Sequence, residues 1–366
     1  MKRLIVHVAE VELGEETGMG RISWHWRRAC NERGWEFIHI GPAAVGGIRH
    51  PAFFPHEAHK VFRALNREPD LFLVHEPAAA PFLGTRVPVV LFSHGIERRW
   101  WELRGEGAPE PLRTRLLFPL WRLGPCDAGL RGADAAMFSN EEDSRYAARQ
   151  YNLPPERRWV FPNGVYPTTD EEAHARGERL RILFLASWIE RKGIHTLART
   201  AAELHRRGIP VEWTLAGVGK STKEVLAGWP RHLAGVTTVI PSFPASQEAQ
   251  LLRDSDVMVL PTFFEGQPLS LLQAMEAGRC CITTNCCGQR DVIKHRENGL
   301  LFEAGDDAAL TELLAECARD ETLRRELGRR AKASMRNRSW PEVAARVADQ
   351  LDSVIRSRRW LPESAS

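Results

Sequence analysis

The chain reads as an α/β protein built from two doubly wound parallel-sheet domains. Three observations predict this. Its 366 residues suffice for two domains of ordinary size. Short apolar strands alternate with amphipathic helices along the chain, as in parallel sheets covered on both faces. One polar stretch, Pro167 to Glu178, lacks apolar periodicity and divides the strands into two series.

In order, the first series is Leu4–Val8, Glu36–Ile40, Leu71–His75, Val89–Ser93, Ala135–Ser139 and Arg158–Phe161. The second is Arg181–Ala186, Val211–Ala216, Thr237–Ile240, Val257–Leu260 and Arg279–Thr284. Domains are therefore expected over 1–168 and 169–338. A last helix is expected to open at Ser339, a capping residue, with Pro341 in its first turn, and to run to about Arg358. Ser139 is a second cap candidate, and Asn163-Gly164 suits a tight turn.

Composition narrows the function classes. A hydrophobic share of 43% and a charged share of 27% describe a globular protein. No apolar run has the length of a membrane span. The apolar run after Lys2-Arg3 is short and is interrupted by Glu10 and Glu12, so it reads as a buried strand and a cytoplasmic location is expected. A net charge of +3 does not suggest a nucleic-acid binder. Seven cysteines fit a reducing compartment. Cys280-Cys281 and Cys286-Cys287 are adjacent pairs, which on a strand point to opposite faces. They read as small buried side chains, and no metal site is expected.

The most informative stretch runs from Pro261 to Gly278. It follows the strand Val257–Leu260, opens with Glu265-Gly266 and continues as a helix with apolar Leu271, Leu272, Ala274 and Met275. A strand leading through a glycine turn into a helix N-terminus aims backbone N–H groups and the positive dipole end into one pocket. Gly266, Gln267, Leu269 and Ser270 would line it. That suits a diphosphate, and Glu265 is placed to hydrogen-bond a sugar hydroxyl.

This stretch resembles the signature of retaining family-four glycosyltransferases of the GT-B fold. The family's second glutamate, expected to accept hydrogen bonds from the donor ribose, falls on Gln273, whose amide oxygen still accepts. Further segments match in the same order. Phe184 to Ile194 resembles a Gly-Arg-Leu-x-x-x-Lys-Gly motif, with the arginine replaced by Ser187 and with Arg191 close by. Lys192 is thereby implied to neutralise the donor diphosphate. Gly14, Gly18 and Gly20 lie in the loop that the family uses at the cleft, where glycine lets backbone approach a ligand. His94, after Val89–Ser93, is implied to contact the transferred sugar, whereas His75 reads as a hydrogen-bonded structural residue. Leu215 to Thr222 superficially resembles an ATPase phosphate loop, but Thr214 stands where that loop needs glycine. The family has a Gly-x-Gly turn there, at Gly217. Base contacts are expected from Ser242 and Phe243.

The resemblance implies two Rossmann-like domains facing across a cleft, with the last helix crossing back to the first. It implies a nucleotide-sugar donor, a hydroxyl acceptor that is a glycan, a lipid-linked molecule or a small molecule, and no metal. Glu265, Lys192 and His94 are the implied catalytic residues. Two other readings use the same fold, a nucleotide-sugar epimerase and a non-catalytic nucleotide binder. Residues 98–122 interleave aromatics with arginines. That pattern suits an anionic membrane surface on the inner face, or a helix packed between domains with its arginines in water.

Overall fold

A computed structural model describes residues 3–15, 18–104, 112–168 and 179–359. The chain divides into two compact units. Unit 1 comprises residues up to Asn163 together with the segment from Trp340, and unit 2 is Gly164–Ser339. The sequence-expected linker residues 169–178 and part of the 98–122 segment, 105–111, lie outside the described residues.

Unit 1 runs β1 (Leu4–Val8), α1 (Gly18–Glu32), β2 (Glu36–Ile40), α2 (Phe54–Ala64), β3 (Leu71–His75), β4 (Val89–Ser93), α3 (Glu97–Arg104), α4 (Leu112–Phe118), α5 (Gly124–Gly132), β5 (Ala135–Phe138), α6 (Glu141–Tyr151) and β6 (Arg158–Val160). The sheet is parallel with order β2-β1-β3-β4-β5-β6. Strands β1, β4 and β5 are buried at every residue, as central strands covered on both faces must be. Trp26 of α1 is fully buried and meets Phe92 and Phe161 edge-on, with centroids 5.3 and 5.2 Å away.

Unit 2 runs β7 (Leu180–Leu185), α7 (Ile194–Arg206), β8 (Val211–Ala216), α8 (Thr222–Ala227), β9 (Thr237–Ile240), α9 (Glu248–Arg253), β10 (Val257–Leu260), α10 (Leu269–Glu276), β11 (Cys280–Thr284), α11 (Cys287–Val292), β12 (Leu300–Phe302), α12 (Asp307–Arg319) and α13 (Glu321–Ser334). Its parallel order is β12-β11-β10-β7-β8-β9. The core packs Trp213, Phe184, Val259 and Leu271 between sheet and helices. Cys280 and Cys281 are buried in β11. The final helix α14 (Trp340–Arg359) belongs to unit 1 and lies on α1. There the His25 ring stacks almost parallel on Trp340, 4.3 Å between centroids, and Arg33 pairs with Asp349 at 2.8 Å.

Two local expectations are corrected. The cap of α6 is Asn140, whose side chain accepts the Asp143 N–H at 2.7 Å, while Ser139 is buried one residue earlier. Strand β12 was not anticipated, because three residues after Asn298-Gly299 carry too little period to separate strand from loop.

Candidate functional site

Strand order locates the candidate site in unit 2. The chain reverses its direction of travel across the sheet between the neighbours β7 and β10, and ligands of open α/β sheets bind outside the carboxyl ends of strands at such a switch point. The loop after β7 ends in a single turn, Glu190–Lys192, closed by Gly193 at φ 73°. A Cβ on Gly193 would collide with the Pro261 carbonyl, so only glycine permits the two loops to touch. The Arg191 carbonyl accepts the Phe263 N–H and the Thr262 hydroxyl, each at 2.9 Å.

The loop after β10 is gripped from its other side as well. Thr283 and Thr284 of β11 donate to the Leu260 and Thr262 carbonyls at 2.8 and 2.6 Å. A Cβ on Gly288 would strike the Gly266 carbonyl. These contacts hold a short irregular segment from both sides. At its tip Glu265 forms an ion pair with Lys192, both side chains being largely buried. Burial holds the Lys192 ammonium below the ordinary lysine range, and Arg191 adds to that shift. Helix α10 starts directly after Pro268 with no side-chain cap, so its first N–H groups and positive dipole end open into the loop that carries Glu265. Lysine and open helix N-terminus together can hold a dianion while the carboxylate orients a neighbouring hydroxyl.

The remaining expected donor residues divide. Gly266 and Gln267 are buried in the loop, and Leu269 and Ser270 form the first turn of α10. Ser187 is exposed in the loop after β7. Gly217 has φ 66°, and a Cβ there would sit 3.3 Å from the Phe243 ring, which places these two side by side at the ends of β8 and β9. Gln273 is nine-tenths buried on α10. Its oxygen accepts the Tyr166 N–H at 2.9 Å, and its NH₂ donates to the Tyr166 carbonyl at 2.8 Å. Lys220, of the ATPase-like segment, is half exposed and lies 3.8 Å from Glu224, whose carboxylate closes a capping box on Ser221.

In unit 1 the switch point lies between β1 and β3. Four histidines gather at these strand ends. His7 and His39 share a hydrogen bond of 2.8 Å, and the His75 and His94 rings are 5.6 Å apart. Burial lowers His94 to about 4, and lowers His7 and His75 well below the ordinary histidine range, so all three are neutral. His94 is held edge-on by Phe92 and Phe161. Glu76, which no sequence motif singles out, is buried at the end of β3. It accepts the Ser93 hydroxyl at 2.6 Å and the Glu97 N–H at 3.2 Å, which ties the end of β3 to the turn carrying His94. Burial, then the Glu97 carboxylate, pushes Glu76 up to about 8. A Cβ on Gly14 or Gly18 would meet no protein atom within 4 Å, so packing does not require glycine there. Gly20 is buried in α1, and residues 16–17 of that loop lie outside the described residues.

Residues 18–169 match the family model Glycosyltransferase Family 4, and residues 167–334 match Glycosyl transferases group 1. The chain belongs to the family-four glycosyltransferases. Its fold is GT-B. A sucrose-phosphate synthase from Thermosynechococcus elongatus superposes with a TM-score of 0.80 at 16% identity, covering 97% of this chain and 100% of that one. Anabaena HepE, solved in complex with UDP and glucose, superposes with a TM-score of 0.71 at 17% identity, covering 96% and 100%. By sequence, the family member WcaL of Salmonella typhimurium, named for colanic acid biosynthesis, is 27% identical over 47% of this chain and 44% of its own. A D-inositol 3-phosphate glycosyltransferase of Pseudarthrobacter chlorophenolicus is 28% identical over 61% and 57%. The chain thus spans about half the length of these curated relatives.

Proposed function

We propose that this chain is a retaining glycosyltransferase. It moves a sugar from a nucleotide-diphosphate sugar to a hydroxyl acceptor in polysaccharide or glycoconjugate assembly. One observation carries the reading: the Lys192–Glu265 pair stands at the β7/β10 switch point beside the uncapped N-terminus of α10. Lys192 and the first N–H groups of α10 stabilise the departing diphosphate, and Glu265 orients a hydroxyl of the transferred sugar. Gly217 and Phe243 flank the base, while Arg191 and Ser187 border the phosphates. The family resemblance implies a sugar contact for His94 of unit 1, which is a neutral imidazole. These protein cations and dipoles carry the leaving charge, so transfer is expected to persist in chelator. Retention rests on the family resemblance, and the anomeric configuration of the product by NMR tests it.

The first test is calorimetry with UDP, GDP, ADP, CDP and dTDP in chelator. One nucleotide should bind clearly, and Lys192→Ala should weaken it tenfold or more. No binding by any of the five would remove the donor reading. UDP is the first candidate because the HepE structure holds it.

We further propose that the protein binds a membrane surface peripherally. Among the described residues no helix is long and apolar enough to cross a membrane. Of the arginines of 98–122, Arg104 lies over the Trp101 ring and the others form two sets. Arg98 pairs with Asp127, Arg99 with Glu142 and Asp143, and Arg122 with Glu10 and Glu97, all within unit 1. By contrast Arg113 and Arg115 are exposed on α4 next to exposed Leu112, Leu116, Leu117 and Leu120. This face suits the headgroup layer of an anionic membrane and a lipid-linked acceptor. Flotation with phosphatidylglycerol vesicles should carry the wild type upward, and the pair Leu116→Ser and Leu120→Ser should abolish it. Equal flotation of both proteins would dismiss the membrane reading.

A further inference from the structure

We infer that Gln273 is a positioning residue that fastens the Tyr166 peptide to α10 and does not take the donor ribose; this rests on the donor reading of α10 proposed above. A peptide presents one N–H and one C=O, and a side-chain amide answers both at any pH. Gln273 does so at 2.9 and 2.8 Å. A glutamate, the family residue at this position, has two acceptors when ionised. It would keep the Tyr166 N–H and turn its other oxygen against the Tyr166 carbonyl.

The clamp extends beyond one side chain. Three residues further along α10, the Glu276 carbonyl accepts the Thr168 hydroxyl at 2.9 Å. Alternate residues of the chain entering unit 2, Tyr166 and Thr168, are thus held by helix residues one turn apart. The Val165 N–H donates to the Arg338 carbonyl at 2.9 Å, so the entering chain is bonded on its other side too. Gln273 therefore acts through α10: it anchors the second half of a helix whose first turn is the proposed diphosphate cradle.

The test compares wild type with Gln273→Glu and Gln273→Met at pH 8 and pH 5.5. Amide-exchange protection at Tyr166 and the affinities for UDP, GDP and ADP are both measured. In Gln273→Glu at pH 8, Tyr166 protection should fall tenfold or more, and nucleotide affinity should fall about threefold. At pH 5.5 the protonated carboxyl donates to the Tyr166 carbonyl as the amide does, and both quantities should return toward wild type. Gln273→Met should lose protection at both pH values. Tighter nucleotide binding by Gln273→Glu at pH 8, or unchanged Tyr166 protection, would overturn the inference. Absence of nucleotide binding in wild type would overturn the donor reading, and Tyr166 protection would still decide the role of Gln273.

Discussion

The two units share a plan and differ in what their strand ends carry. Each is a six-stranded parallel sheet. In unit 2 the switch point presents a buried cation–carboxylate pair beside an open helix end. In unit 1 the equivalent place holds neutral histidines and a buried Glu76 whose carboxyl is raised by burial, with the Arg122–Glu10 and Arg122–Glu97 ion pairs alongside. The same topology therefore sets a cation–carboxylate pair beside an open helix end in one unit and neutral imidazoles in the other. A charged leaving group calls for the first, and a sugar hydroxyl is well served by the second.

Catalysis should expose that difference most strongly. Glu265→Ala and Lys192→Ala should each lower kcat about 100-fold or more, the scale of removing a preorganised charge-stabilising group. His94→Ala, which removes a neutral contact, should cost less, about tenfold. Turnover of the donor identified by calorimetry checks all three, and an equal loss in the three variants would break the contrast.

Acid stability should separate the units next. His7, His25, His39, His59, His75 and His94 are all lowered by burial, and all lie in unit 1. A group whose folded pKa lies below its unfolded value near 6.5 favours the fold fully above that pH. The contribution is lost as pH falls toward about 4, where His25 and His94 titrate. The loss is about 1.4 kcal/mol per pH unit for each fully buried histidine. Raised Glu10, Glu76 and Asp143 act in the opposite direction and offset part of it. Hydrogen exchange at pH 7 and pH 5 should therefore show unit 1 losing protection relative to unit 2.

Backbone substitutions give the smallest of these effects and sharpen the comparison of loops. Gly193→Ala should destabilise unit 2 by about 1–3 kcal/mol, since φ is positive and the Cβ meets the Pro261 carbonyl. Gly18→Ala in unit 1 should be near neutral in stability. Urea unfolding measures both, and a Gly18→Ala loss as large as that of Gly193→Ala would contradict the packing described.

Much of the architecture could be read from residue order. Runs such as Leu4–Val8 and Val257–Leu260 are buried along their whole length, so their apolar composition marks them and their ends. The choice of Lys192 and Glu265 as site residues follows from matching segments to a family, while their ion pair appears only in the fold. What could not be read is contact between distant segments. Nothing near Gly193 announces that Pro261 will press on it, and nothing near Gln273 announces Tyr166, 107 residues earlier. Asn140 rather than Ser139 caps α6 because the backbone turns one residue later, a matter of local dihedral angles that both residue types satisfy.

The bond between Val165 and Arg338 has a consequence for how the protein is made. Val165 stands where the chain enters unit 2, and Arg338 where it leaves, so unit 2 is a continuous insertion whose two ends are tied together. It is whole once Ser339 has been synthesised. Unit 1 is split in sequence and has to wait for α14 before Trp340 can cover His25. During translation the later-encoded half is therefore the first able to finish folding, and the earlier-encoded half stays open at α1 until the last helix arrives.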